Sequence, residues 1–294
     1  MLDRSTGFKG FIRERVPFIV LENFVGQPFT DAHQTLEQPR SRSERINAFW
    51  CRIPSRGNFG DILTPWLIKR ISGQSPLFVR PDAPVTKYFV SGSIVEYSRE
   101  NCVIWGAGIM ARSDHVSSKA MFLAVRGPLT RDVALASGAE CPEVYGDPAL
   151  LLPRFYQPQN ARRQGIGIIP HFSDKPRLMG HRFCSEDVRL IDIQSPVESF
   201  IEQVCSCEFV ISSSLHGIIV SHAYGIPAAW IKFRDLPSGD DSKFLDYFMS
   251  IGRMCVEPLP AHFIDARPSQ LIEHTFLPLM CPDLERLWRA CPFR

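Results

Sequence analysis

Residues 207–225 read CEFVISSSLHGIIVSHAYG, and this stretch decides the fold. A short apolar run, Phe209 to Ile211, is followed by three serines. A second apolar run then carries on from Leu215 and closes on Gly225. The first run, bounded by small turn residues, predicts a buried strand, and the longer one stopped by glycine predicts a helix. A strand that is apolar throughout, with no polar alternation, is covered on both faces, as in parallel sheets flanked by helices. Working outward, GIGIIPH (165–171), LIDIQ (190–194) and AAWIKF (228–233) read as further strands. VESFIEQVCS (197–206) reads as a helix, with Ser195-Pro196 at its start.

The earlier half has the same texture. NAFWCRI (47–53) predicts a strand, GNFGD (57–61) a tight turn, and ILTPWLIKRISG (62–73) an amphipathic helix. KYFVSGSIVEY (87–97), NCVIWGAGIM (101–110) and AMFLAVRG (120–127) are apolar runs rich in glycine. The segment LLPRFYQPQNARRQG (151–165) is the natural linker. The expectation is an α/β protein: two Rossmann-like lobes with parallel sheets and a cleft between them. The divisions are an irregular arm (1–46), an N-terminal lobe (47–155) and a C-terminal lobe (156–294). The last ends in helices at SQLIEHTFL (269–277) and DLERLWRA (283–290). A chain of 294 residues is too long for one ordinary core, which also favours two lobes.

Composition excludes several classes of function. With 45% hydrophobic and 22% charged residues the chain is not of the disordered type. A net charge of +2, with scattered basic residues, gives no stripe for nucleic acid. Nine cysteines include no CxxC pair, and Cys205-Ser206-Cys207 alone does not make a zinc site; reduced, mostly buried thiols are expected. The N-terminus lacks the apolar core of a leader, and no window approaches the roughly 20 apolar residues of a membrane span. A cytoplasmic protein is expected, meeting a membrane, if at all, peripherally at its inner face.

Four segments carry chemistry. In Gly57–Asp61, two glycines permit a tight turn onto a helix start that can face an anion, beside Asn58; Asp61 either caps that helix or touches substrate. In Val125–Arg131, Arg126 and Arg131 offer guanidinium forks matched to carboxylate or phosphate. Arg126 is pinned at a strand-to-helix turn, whereas Arg131 is equally readable as a solvated helix residue. In Tyr145–Ala149, Gly-Asp-Pro reads as a turn with a sugar contact through Asp147. In Ser212–Gly217, small hydroxyl residues and His216 sit at a strand-to-helix turn, where backbone donors and one titratable ring are exposed together. Asp241–Phe248 brings Lys243, an anion ligand or a solvated helix start, and His171 ends a strand aimed at the same cleft.

In order along the chain, Asn58-x-Gly-Asp61, WGAG, RGPLTR, GDPALLLP, IIPH, SSSLHG and AYGIP resemble the polysaccharide pyruvyl transferase family, from about Asn58 to Gly252. The resemblance implies a GT-B-like arrangement and an enzyme that forms a cyclic pyruvate ketal on a sugar of an exopolysaccharide, capsule or cell-wall glycan. Phosphoenolpyruvate is then the donor, a co-substrate with no separate cofactor. The acceptor is a glycan or a lipid-linked oligosaccharide. Arg126, Arg131, Ser214, Leu215 and Lys243 become donor-binding residues, and Asn58, Asp147 and His171 acceptor-binding candidates. His216 and Asp61 become the catalytic pair, with His216 read as proton donor because an imidazole titrates near working pH. No metal is expected. A GT-B glycosyltransferase or sugar-nucleotide epimerase is the alternative; it needs a nucleotide pocket, for which Asp235 is the nearby acidic residue. An inactive glycan-binding scaffold ranks third, since RGPLTR and SLHG are both present.

Overall fold

The computed structural model describes residues 45–52, 57–159, 163–235 and 239–294. The expected N-terminal arm therefore lies outside the described residues, apart from Arg45 and Ile46. The first sheet contains β1 (Asn47–Phe49), β2 (Leu77–Phe78), β3 (Lys87–Phe89), β4 (Cys102–Trp105) and β5 (Met121–Ala124), in the order β2-β1-β3-β4-β5. The second contains β6 (Ile166–Ile169), β7 (Val188–Leu190), β8 (Phe209–Ser212), β9 (Ala228–Lys232) and β10 (Leu259–Pro260), in the order β10-β9-β8-β6-β7. All named strand pairs are parallel. Counted from its own first strand, the second sheet repeats the order of the first. Each sheet reverses its winding beside its first strand, between β1 and β3 and between β6 and β8. In open α/β sheets the crevice for ligand opens at that reversal, beyond the strand C-termini.

The α/β class and the two parallel sheets agree with the sequence reading. Helices α1 (Phe59–Ser72), α2 (Pro128–Ala136), α3 (Lys175–Leu178), α4 (Val197–Cys205) and α5 (Leu215–Ala223) follow the strands. Further on come α6 (Ser242–Ser250), α7 (Pro268–Leu271) and α8 (Leu284–Arg289). The amphipathic helix α4 buries Val197, Phe200, Ile201, Val204 and Cys205, the stripe that a 3.6-residue period predicts. By contrast α5 is buried on every side, which its nearly unbroken apolar sequence requires.

Three local expectations need correction. LIDIQ is not a strand; β7 ends at Leu190, and Ile191 and Ile193 are buried beyond it, in the core but off the sheet. The segment 151–165 is not a free linker at its start. Residues Pro148–Arg154 form a 3-10 helix whose Leu150, Leu151 and Leu152 are buried in the same cluster as Ile218 and Ile219 of α5. SQLIEHTFL yields only α7 and a 3-10 turn, Ile272–His274.

One hydrophobic cluster spans both sheets, and each sheet has a further cluster of its own. Phe59 of α1 packs against Phe200 of α4 with the rings tilted and their centroids 4.6 Å apart, and the Phe59 N–H donates to the Ile193 carbonyl at 2.9 Å. The chain end crosses back as well: the Trp105 indole N–H donates to the Leu287 carbonyl (2.8 Å), and Phe293 packs on Tyr88 and Trp105. Thus α8, expected among the helices of the C-terminal lobe, packs on the first sheet.

Candidate functional site

On the side of the first sheet, the turn after β1 closes on itself. Asn58 caps α1 by accepting the Gly60 N–H (3.1 Å), and Asp61 Oδ2 accepts the Asn58 backbone N–H (3.3 Å) and side-chain amide (2.7 Å). This reciprocal capping box satisfies the helix start without a ligand. Asp61 Oδ1 has no hydrogen-bond partner among the described residues. Burial pushes the Asp61 carboxyl up to about 6, against the Asn58 hydrogen bonds and the nearby His216, which pull it down.

On the side of the second sheet, the turn after β8 stays open. Ser214, the N-cap of α5, makes no side-chain cap bond. Among the described residues the N–H groups of Leu215 and His216 have no acceptor, as the first donors of any helix lack one within the helix. Ser213 braces the turn from behind, accepting the His171 N–H and donating to Asp174 Oδ2, both at 2.9 Å. Asp174 in turn accepts from Arg234 at 3.1 Å. Lys243, at the start of α6, is buried, and its ammonium has no hydrogen-bond partner among the described residues. Burial and the charge of Arg126 bring Lys243 down to about 8, opposed by Asp241 and Asp174. Burial, helped by Lys243 and Arg234, pushes His171 down to about 3. Its ring is therefore neutral at pH 7, and its Nδ1 is 2.8 Å from Ser173 Oγ.

His216 lies where the two sides meet. Its Nε2 is 3.0 Å from Ser91 Oγ, beyond β3, and 3.4 Å from Asp147 Oδ2 at the start of the 3-10 helix. Gly60 makes this approach feasible, since a Cβ there would fall on the imidazole. The arrangement thus joins Asn58, Asp61 and Ser91 from the first sheet to Ser214, Leu215 and His216 from the second. His171 joins the α5 start through Ser213, and Lys243 lies near enough to His171 and Asp174 for their charges to act on one another.

The other candidates are engaged within the protein or lie on its surface. Arg126 does not present its guanidinium as a clamp here: it is fully buried, with Nε donating to Asp246 (2.9 Å), Nη1 to Ser93 Oγ (2.7 Å) and Nη2 to the Ile109 carbonyl (2.6 Å). Asp246 also accepts from the Thr130 N–H (2.9 Å) and hydroxyl (2.7 Å), which docks α6 onto the start of α2. Arg131 lies on the flank of α2, bonded to the Cys141 carbonyl (3.0 Å) and near Glu143 (3.5 Å). Asp147 is wholly buried and caps the Ala149 N–H (2.9 Å), so it is not an exposed sugar contact. Asp235, on which a nucleotide pocket would depend, is exposed and paired with Lys232 at 2.7 Å. The sequence reading passed over Ser91, Asp174, Arg234 and Asp246. Asp246 had a signal: it follows Lys243 by three residues, a spacing that puts both on one side of the helix. The other three carried none.

Among the described residues no group of three or more His, Cys, Asp or Glu side chains is placed to hold a metal ion. No helix among them is long and apolar enough to cross a membrane. An uncharacterized protein of Acanthamoeba polyphaga mimivirus is 37% identical to this chain over 170 residues, covering 55% of this chain and 58% of the relative. The chain thus spans about 58% of the length of that relative. The family model described as polysaccharide pyruvyl transferase matches residues 37–233, which include both helix starts and His216, and the chain belongs to that family.

Proposed function

We propose that the protein transfers pyruvate from phosphoenolpyruvate to a glycan, forming a cyclic ketal. The observation that carries this reading is the open start of α5 between His216 and Lys243. Two N–H groups without an acceptor among the described residues, and a buried ammonium that lies over the Phe244 ring at 5.5 Å and has no hydrogen-bond partner among those residues, make a receptor for a compact, doubly anionic molecule. Phosphoenolpyruvate is such a molecule, with a carboxylate and a phosphate on one carbon. Leu215, the Ser214 hydroxyl and Lys243 hold it, while the buried Arg126 adds positive potential without touching it.

His216 gives a proton to the methylene carbon, and the positive charge develops at C2, shared with the phosphate-bearing oxygen. One sugar hydroxyl adds to C2 and loses its proton to Asp61 Oδ1, the oxygen left free by the capping box. Phosphate then departs with its C–O electron pair, and a second hydroxyl of the same sugar adds to C2, passing its proton to the now neutral His216 and closing the ketal ring; the proton on Asp61 leaves with the phosphate. Asp61 suits the part of base because it ionises near pH 6, within reach of working pH. Neutral His171 is a hydrogen-bond partner for the acceptor, not a proton donor. The acceptor is a polysaccharide unit, free or lipid-linked; a lipid-linked one is met peripherally at the membrane surface. Neither metal nor nucleotide takes part in this scheme.

The test is incubation with phosphoenolpyruvate and a panel of α- and β-glycosides, with and without a chelator. A pyruvyl adduct by mass, with stoichiometric phosphate release that the chelator does not stop, is expected. Phosphate release without adduct on any glycoside, or turnover that needs a nucleotide sugar, would sink the reading.

A further inference from the structure

Asp147 has an unexplained oxygen. Its Oδ1 is engaged as the cap of the 3-10 helix, but Oδ2 is buried without a hydrogen-bond partner, 3.4 Å from His216 Nε2. A buried carboxylate oxygen left alone is costly, so its neighbour needs a reason to be there. The geometry points to Asp147 as the positioning residue of His216: with Ser91 it holds the imidazole in the Nε2–H tautomer, so that Nδ1 is the nitrogen that exchanges a proton with substrate.

Hydrogen-bond polarity decides the tautomer. Ser91 Oγ lies 3.5 Å from Asp147 Oδ1 and 3.0 Å from His216 Nε2. Its single proton goes to one of them. Directed at Nε2, it would leave the serine lone pairs facing a buried carboxylate, and the imidazole lone pair would be beside Asp147 Oδ2. Directed at Asp147, it leaves serine as acceptor, and Nε2 must then carry hydrogen. Only the second arrangement places a proton between every pair of acceptors. His216 also faces the Asp61 carboxylate across Gly60, so the charges that bear on the ring are Asp61 from α1 and Asp147 from the 3-10 helix. Nδ1 has no partner among the described residues, so it is free to meet a ligand. A carboxylate behind an imidazole also stabilises the imidazolium without becoming protonated.

The inference deepens the reading of His216 as proton donor and rests on it for its meaning, but its readout is the imidazole itself. A long-range proton–nitrogen correlation spectrum of the full-length chain, at a pH where the ring is neutral, reports which nitrogen holds hydrogen. The His216 signals are assigned by their loss in His216→Gln. The wild type is expected to show the Nε2–H form. Asp147→Asn keeps an oxygen for the Ala149 N–H but turns an amide donor toward Nε2, and should shift the ring to Nδ1–H. Turnover in this variant should fall by about tenfold or more with KM for phosphoenolpyruvate little changed. An Nδ1–H ring in the wild type, or an unaltered tautomer in a folded Asp147→Asn variant, overturns the assignment. Should Asp147→Asn not fold, the wild-type spectrum decides alone. Near-normal turnover in His216→Gln would defeat the proton-donor reading while leaving the tautomer result standing, so the two failures are distinct.

Discussion

The two sheets repeat one strand order, and each sends a helix from its winding reversal toward the other, yet the two helix starts differ in chemistry. The β1–α1 turn closes itself: Asn58 and Asp61 satisfy its donors, and what it offers the cleft is a carboxylate oxygen. The β8–α5 turn leaves its donors open, with cations around it. Topology supplies two equivalent crevices, and the residue at the N-cap decides which is complete and which awaits an anion. A serine that does not cap is therefore more informative than an asparagine that does.

The largest effect should come from the open side. His216→Gln is expected to lose roughly a hundred- to ten-thousand-fold in turnover while the fold survives, because the glutamine can still reach Ser91. Measured by phosphate release at saturating phosphoenolpyruvate, an unaffected rate would erase the functional difference between the two turns. Arg126→Ala should act on the fold. It strands Asp246 in the core without its cation, and a cost of about 3–5 kcal/mol is expected in a denaturant titration. Full stability with weakened substrate binding would instead return Arg126 to the cleft.

Lys243→Met sharpens the contrast between the two cations. Lys243 is buried without a hydrogen bond among the described residues, so removing its charge should cost little stability and could raise it. Affinity for phosphoenolpyruvate should weaken by about tenfold or more, the scale of a lost charge-assisted contact. Calorimetric binding that matches the wild type would place the anion elsewhere.

Much of this was legible in the sequence, and the limits are instructive. Apolar runs announced the strands, because buried parallel strands carry no polar alternation. The two-residue strands β2 and β10 escaped, being too short for any period to register. SSSLHG marked the open turn because small residues and one histidine followed a strand. RGPLTR misled: a guanidinium at a strand end suits an external anion and an internal carboxylate equally, and only the distant Asp246 decides between them. Likewise GDPALLLP looked like a surface turn leading into a linker, whereas the buried face of Leu150–Leu152 against α5 appears only once the lobes meet. Pairings across more than a hundred residues leave no local trace.

The smallest expected effect tests the closed side, and it is a gain. Asp61 has an ordinary carboxyl value of 3.8 and is raised to about 6 in the fold, chiefly by burial. As pH rises from below 3.8, the unfolded chain gives up this proton first. Between there and about 6 the folded state holds more protons, so stability falls with rising pH across that window. Above it the whole cost of a buried carboxylate persists, at most about 3 kcal/mol. Asp61→Asn keeps an oxygen for the Asn58 donors and removes the charge. The variant should therefore melt higher than wild type at pH 8 and show little difference near pH 4. Its turnover should be low at every pH, whereas wild-type activity is expected to fall below about pH 6, where the protonated carboxyl can no longer accept from the sugar hydroxyl. A loss of stability in Asp61→Asn that is the same at both pH values would mean that the carboxylate is only a cap. The β1–α1 turn would then be closed structurally and chemically, and the base would have to be sought on the other side of the cleft.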